Sequence, residues 1–167
     1  PLDITKGYME GTLEKDFPVV HEGNKSTFYR CFETEVTIPG IEGEVLMRVE
    51  YRKFNDPKPP YEKFDQMRFD YIKPNEDGTE EVVAEMYWLI KPNQDPEEPL
   101  HDLQLSHREV KPKYREGKGI GSSLYQHAES WARQLASEKG EPLTLTANAG
   151  QADVIKWFGK LGYKPAE

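Results

Sequence analysis

The residues with the clearest chemical potential lie in Lys111-Pro-Lys-Tyr-Arg-Glu-Gly-Lys-Gly-Ile-Gly-Ser122, where three glycines fall within five positions. Glycine lets a backbone adopt positive φ and approach a ligand, and the first amides of a helix have no acceptor within it. Such a loop can aim several N–H groups at a pyrophosphate. A Gly-x-Gly-x-Gly run is also compatible with a plain turn. It lacks the Gly-Lys-Ser/Thr ending of a triphosphate loop and does not follow the first strand of a dinucleotide-binding unit. A second set comprises Glu85 and Tyr87, which share a parity, and His107 and Glu109, which share another just before the glycine-rich loop. Carboxylate, phenol and imidazole are groups that move protons at reacting centres. Each has a structural reading as well: Glu85 as an ion-pair partner, His107 as a hydrogen-bonded edge residue. His101 and His107 are too loosely spaced for a metal pair, and no Cys-x-x-Cys accompanies them, so no metal is expected.

These residues need strands and a helix to position them. Phe28, Phe32, Val36 and Ile38 share one parity, and Val45, Met47, Val49 and Tyr51 alternate with Leu46, Arg48, Glu50 and Arg52. This predicts strands over Ser26–Ile38 and Glu44–Lys53, turning at Pro39-Gly40 to Gly43. Phe64–Ile72 follows as a strand, and Asn75-Glu76-Asp77-Gly78 turns the chain into Glu81–Ile90. That last strand has an apolar face (Val82, Ala84, Met86, Trp88, Ile90) and a mixed one (Val83, Glu85, Tyr87, Leu89), which predicts a central position. Leu103–Val110 is the next strand. The period then changes: Ile120, Leu124, Ala128 with His127, Trp131 and Leu135 mark an amphipathic helix ending at Gly140. Tyr125 and His127 on it read as packing or surface residues. Leu143–Ala147 alternates as a strand, and Ala152–Leu161 is predicted as a second helix closed by Gly162.

The chain has 167 residues with 36% apolar and 31% charged, enough for one core without staples, and is expected to be a single domain. Its lone Cys31 excludes a disulfide framework. No apolar run is long enough to span a bilayer as a helix and no secretion signal opens the chain, so membrane association is not expected and the cytoplasm is the expected location. The start at Pro1 leaves a processed or excised N-terminus open. Residues 1–100 carry 12 basic and 22 acidic residues, and residues 101–167 carry 10 and 8. An acidic chain without a basic stripe disfavours nucleic acid. The acidic half suits a cationic substrate, though solubility alone would account for it.

Two segments carry a family resemblance. Glu109-Val-Lys-Pro-Lys-Tyr-Arg-Glu-Gly-Lys-Gly-Ile-Gly-Ser-Ser-Leu124 resembles the acetyl-CoA-binding segment of the GNAT family, the GCN5-related N-acetyltransferases. Ala152–Tyr163, ending Phe158-Gly-Lys-Leu-Gly-Tyr163, is similar to that family's second motif. The resemblance implies an α/β (α+β) fold with a mostly antiparallel sheet that splays between the family's fourth and fifth strands, here Leu103–Val110 and Leu143–Ala147, and with flanking helices. The strand-rich half, 1–100, would face the acceptor, and 101–167 would bind acyl-CoA. In that reading the backbone near Val110 holds the pantetheine arm, and Glu116, Gly117, Lys118, Gly119, Ile120, Gly121 and Ser122 surround the pyrophosphate. Gln151 and Phe158 complete the cofactor side.

The implied activity is transfer of an acetyl or other short acyl group from acyl-CoA to an amine, by direct attack in a ternary complex. Glu85, Tyr87, His107 and Glu109 are all candidates for proton transfer. The acceptor would be a small-molecule or protein amine, with cationic amines preferred modestly. Several positions depart from the family pattern. Glu116 replaces the expected Arg or Gln, so Arg115 and Lys118 must supply compensating charge. Phe158 replaces the usual Tyr acid, Gln151 replaces Asn, and Gln104 replaces a frequent strand glutamate. The two strands that usually wall the acceptor site do not follow Tyr163. The N-terminal strands with the Asn55–Pro60 loop, a second copy in a homodimer, or a longer natural chain would supply that wall. The alternative from another class is an inactive GNAT-like module that senses acyl-CoA or binds a protein.

Overall fold

The computed structural model describes residues 17–54, 65–90, 102–115, 119–139, 144–147, 162 and 164. The strands are β1 (Val19–Glu22), β2 (Ser26–Val36), β3 (Val45–Phe54), β4 (Asp65–Pro74), β5 (Glu80–Ile90), β6 (Asp102–Val110) and β7 (Thr144–Ala147). A 3-10 turn, Pro112–Tyr114, and the helix α1, Ile120–Lys139, lie between β6 and β7. The seven strands form one sheet in chain order, antiparallel from β1 to β6, with β7 parallel to β6. Glycines take the left-handed conformation where the chain must reverse, at Gly40 and Gly43 before β3 and at Gly78 before β5.

Alternation gives the sheet two unlike faces. Met47, Val49 and Tyr51 of β3, Met67, Phe69 and Tyr71 of β4, Ala84, Met86 and Trp88 of β5, and Leu103 and Leu105 of β6 are buried. α1 covers this face with Ile120, Leu124, Tyr125, Ala128, Trp131 and Ala132. The Tyr125 ring lies 5.9 Å from Trp88, Trp131 lies 5.9 Å from Phe69, and the hydroxyls of Tyr71 and Ser123 meet at 2.6 Å. The other face carries two cross-strand rows, Arg30–Glu50–Arg68–Tyr87–His107 and Glu33–Arg48–Asp70–Glu85–Glu109. Opposite charges alternate from Arg30 to Arg68 and from Glu33 to Asp70, the arrangement that favours cross-strand pairing, whereas Asp70, Glu85 and Glu109 set three acids side by side.

The predicted β2 to β7 and the long helix form within about two residues of the expected bounds. Two features differ. β1 is not among the expected strands: its four residues are all exposed, so no apolar alternation marks it. Phe28 and Phe32 do not share a face either. The β2–β3 register shifts between Arg30 and Phe32, which sets Phe28 beside Arg52 on the charged face and Phe32 opposite Val49 on the packed face. A one-residue bulge reverses the parity of everything beyond it. Of the expected flanking helices, α1 is described. The second, Ala152–Leu161, lies outside the described residues, as do Gly140 and the Asn55–Pro60 loop. Gly162 does take positive φ, as its predicted closing role requires. Among the described residues, no helix is long and apolar enough to cross a membrane.

Candidate active site

Register brings the proton-handling residues together. Glu85 stands opposite Glu109, and Tyr87 opposite His107, on the charged face of β5 and β6. His107 Nε2 lies 3.0 Å from Glu85 Oε1, and the Tyr87 hydroxyl donates to Glu85 Oε2 at 3.0 Å. Arg68 Nη2 in turn donates to the Tyr87 oxygen at 2.7 Å, with its guanidinium over that ring. The Tyr87 and His107 rings are 4.8 Å apart. Glu109 lies 3.8 Å from His107 Nε2 and accepts from Lys111 Nζ at 3.4 Å.

The hydrogen bonds assign the roles. Burial disfavours the Glu85 carboxylate, but bonds from His107 and Tyr87 outweigh it and hold the carboxyl below its ordinary range. An ionised carboxylate accepts only, so His107 Nε2 carries the hydrogen in this pair, and in a neutral ring the lone pair is then on Nδ1. Burial, opposed by the Arg68 charge and reinforced by Glu85, pushes the Tyr87 phenol up. It stays a hydrogen-bond donor and is a poor proton source. Asp70, 5% exposed and opposite Glu85, is pushed up to about 7, first by burial, with Arg68 opposing and Glu85 and Glu50 adding to it. Asp70 Oδ1 and Arg68 Nε are buried with no hydrogen-bond partner among the described residues.

The end of β6 also meets the start of the helix. β6 pairs with β7 only from Asp102↔Thr144 to Leu105↔Ala147. Among the described residues β7 ends at Ala147, and Ser106–Val110 continue β6 beyond it toward α1. Val110 pairs with Ala84, and Lys111 N donates to the Val83 carbonyl at 3.0 Å, anchoring the strand end. The helix mouth follows. Gly119 has φ of 62°, and its carbonyl accepts from Ser123 N at 2.9 Å, so α1 begins there. Ile120 is buried. A Cβ on Gly121 would lie 3.5 Å from Val110 Cγ2, so the mouth packs directly on the strand end. The exposed Arg115 folds back, Nε donating to the Val110 carbonyl at 2.6 Å.

A profile of the acetyltransferase (GNAT) family matches residues 46–163. The chain belongs to this family. No curated protein matches it. A solved structure titled "Putative acetyl transferase from Pyrococcus furiosus" is similar at 25% identity, with a TM-score of 0.44 and 61% of each chain covered. The chain thus matches less than two thirds of that protein's length.

Within the GNAT frame the structure brings Glu85, Tyr87, His107 and Glu109 into one cluster and sets Val110, Gly119, Ile120, Gly121 and Ser122 at the junction of β6 and α1. Glu116, Gly117, Lys118, Gln151 and Phe158 lie outside the described residues, so the departures at Glu116 and Phe158 keep the standing that the sequence gives them. The residues sequence reasoning missed are Arg68 and Asp70. Nothing in a single strand's pattern marks them. The signal was the β4–β5 register, which sets them beside Tyr87 and Glu85.

Proposed function

We propose that this GNAT chain transfers an acetyl or similarly short acyl group from acyl-CoA to an amine, with both substrates bound together. The observation that carries the reading is the Glu85–His107 pair between β5 and β6, with the end of β6 packed against the glycine mouth of α1. That arrangement fits acyl-CoA: a strand end beside a helix mouth suits a pantetheine arm, and helix-mouth amides suit a pyrophosphate. Acyl-CoA, when bound, supplies an activated thioester carbonyl. Gly119, Ile120, Gly121 and Ser122 would hold the phosphates, with Arg115 and Lys118 adding positive charge. The β6 edge would orient the arm.

His107 Nδ1 would take the proton from an incoming ammonium or amine, while Glu85 fixes the ring and stabilises the imidazolium that forms. Tyr87 and Arg68 position Glu85. Glu109 adds a second carboxylate beside Glu85 on the same face, which supports a cationic acceptor. The leaving thiolate takes its proton from water, because Phe158 has none to give and the Tyr87 phenol holds its own.

The test is release of CoA thiol from acetyl-CoA across a panel of polyamines, amino sugars and peptide amines. His107→Ala should lower kcat/KM by about 10²–10⁴ while acetyl-CoA still raises the melting temperature. The second reading, a binding module without transfer, draws on Phe158. It would be established by an acetyl-CoA-dependent rise in melting temperature with no thiol release from any amine.

A further inference from the structure

We propose that Glu85, His107 and Glu109 form a binding site for a divalent transition-metal ion of the zinc type. One ligand atom from each lies within 4.8 Å of the other two. His107 Nε2 sits 3.0 Å from Glu85 Oε1 and 3.8 Å from Glu109 Oε2. Two ligand atoms on a tetrahedral zinc ion are about 3.3–3.6 Å apart, given bonds of roughly 2.0–2.2 Å, so the two separations from His107 straddle the required one. The frame is rigid where it matters: Glu85 and Glu109 are register partners on adjacent strands, and His107 shares the face of Glu109.

A separate observation points the same way. Asp70 is 5% exposed, stands in register beside Glu85, and its Oδ1 has no partner among the described residues. It is a carboxyl behind the ligands whose oxygen the protein's own hydrogen bonds leave unsatisfied. The cations now serving this group are Arg68, 3.9 Å from Asp70, and Lys111, 3.4 Å from Glu109. Lys111 is therefore the competitor that an incoming ion displaces from Glu109. An imidazole nitrogen with two carboxylate oxygens favours zinc, cobalt or nickel over magnesium or calcium.

The site does not depend on the acyl-transfer reading, but it bears on it. A metal bond to Nε2 replaces the Glu85 hydrogen bond and moves the ring hydrogen to Nδ1, the atom proposed to accept the acceptor's proton. Metal and proton acceptance then exclude one another.

Untagged protein would be titrated with Zn²⁺ and Co²⁺ by calorimetry and by the visible absorption of bound Co²⁺, with Mg²⁺ as control. Expected are one ion per chain in the micromolar range and Co²⁺ bands of a low-coordinate N/O site. His107→Ala and Glu109→Gln should each weaken binding by at least about tenfold, whereas Lys111→Met should tighten it several-fold. The opposite sign at Lys111 separates a built site from loss of structure, and each variant's metal-free melting temperature checks the fold. Absence of Co²⁺ bands, millimolar affinity, or equal affinity in wild type and His107→Ala would overturn the proposal. Metal binding with acetyl transfer unaffected would uphold the site and remove His107 from the reaction. Transfer that requires His107 in a protein showing no metal binding would sink the site alone.

Discussion

On β5, Ala84, Met86 and Trp88 are 0%, 0% and 1% exposed, while on the reverse side of the same strand the Glu85 side chain keeps 16%. The apolar side is held by burial, which has no direction and tolerates any arrangement that excludes water. The charged side is held by distances of 2.7–3.0 Å among Arg68, Tyr87, Glu85 and His107, which exist only in one register. The first face makes the sheet stable, and the second uses that rigidity to bring separate proton-handling groups into contact. Substitutions on the packed face should therefore cost stability and spare the acid–base network until the fold fails. Those on the charged face should change chemistry and pH dependence at modest cost in stability.

The largest effect should come from the packed face. Trp88 is 1% exposed and lies 5.9 Å from Tyr125 of α1, so Trp88→Ala removes a principal contact between helix and sheet. Chemical denaturation should show a loss of about 3–5 kcal/mol. A loss below about 1 kcal/mol would mean that α1 is held elsewhere and that the contrast between the faces is wrong.

Next is Asp70, the buried acid of the charged face. Its folded value of about 7 exceeds the ordinary unfolded value, chiefly through burial, with Glu85 and Glu50 adding to the rise and Arg68 and Arg48 opposing it. The folded state thus binds this proton more tightly than the unfolded chain. The resulting stabilisation is complete below about pH 4 and is lost as pH rises through about 7, at most about 4 kcal/mol. Wild-type stability should fall between about pH 4 and 7, and Asp70→Asn should flatten that slope and be the more stable protein at pH 8. An unchanged slope in Asp70→Asn would show that Asp70 is ionised throughout, compensated by Arg68.

How much of this could be read from sequence follows the same division. Periodicity gives β2 to β7 and α1 because each buries an apolar side, and β1 escapes because none of its residues is buried. The charged face was legible only in part. Glu85, Tyr87, His107 and Glu109 stand out by type and parity within their own strands, but their meeting depends on register, which a single strand does not encode. Arg68 and Asp70 were invisible for that reason. The bulge in β2 between Arg30 and Phe32 shows the limit from the other side, since an apolar parity continued across it assigns Phe28 to the wrong face. The glycine mouth was legible because Gly119 and Gly121 have distinct backbone duties, whereas the return of Arg115 onto the Val110 carbonyl had no signature at all.

The smallest predicted effect divides stability from function at one atom. Gly121 lies in the first turn of α1 without positive φ, and a Cβ there would meet Val110 Cγ2 at 3.5 Å and Arg108 Nη1 at 3.6 Å, ordinary contact distances. Gly121→Ala should therefore stabilise the fold by about 0.5 kcal/mol through reduced freedom of the unfolded chain. If helix-mouth amides receive the pyrophosphate, the added methyl sits where a phosphate must approach, and acetyl-CoA affinity should drop several-fold even as the unliganded protein melts higher. Opposite signs in those two measurements would locate the cofactor at the β6–α1 junction. Higher stability with undiminished acetyl-CoA affinity would place the phosphates away from Gly121 and make that glycine a relic of packing alone.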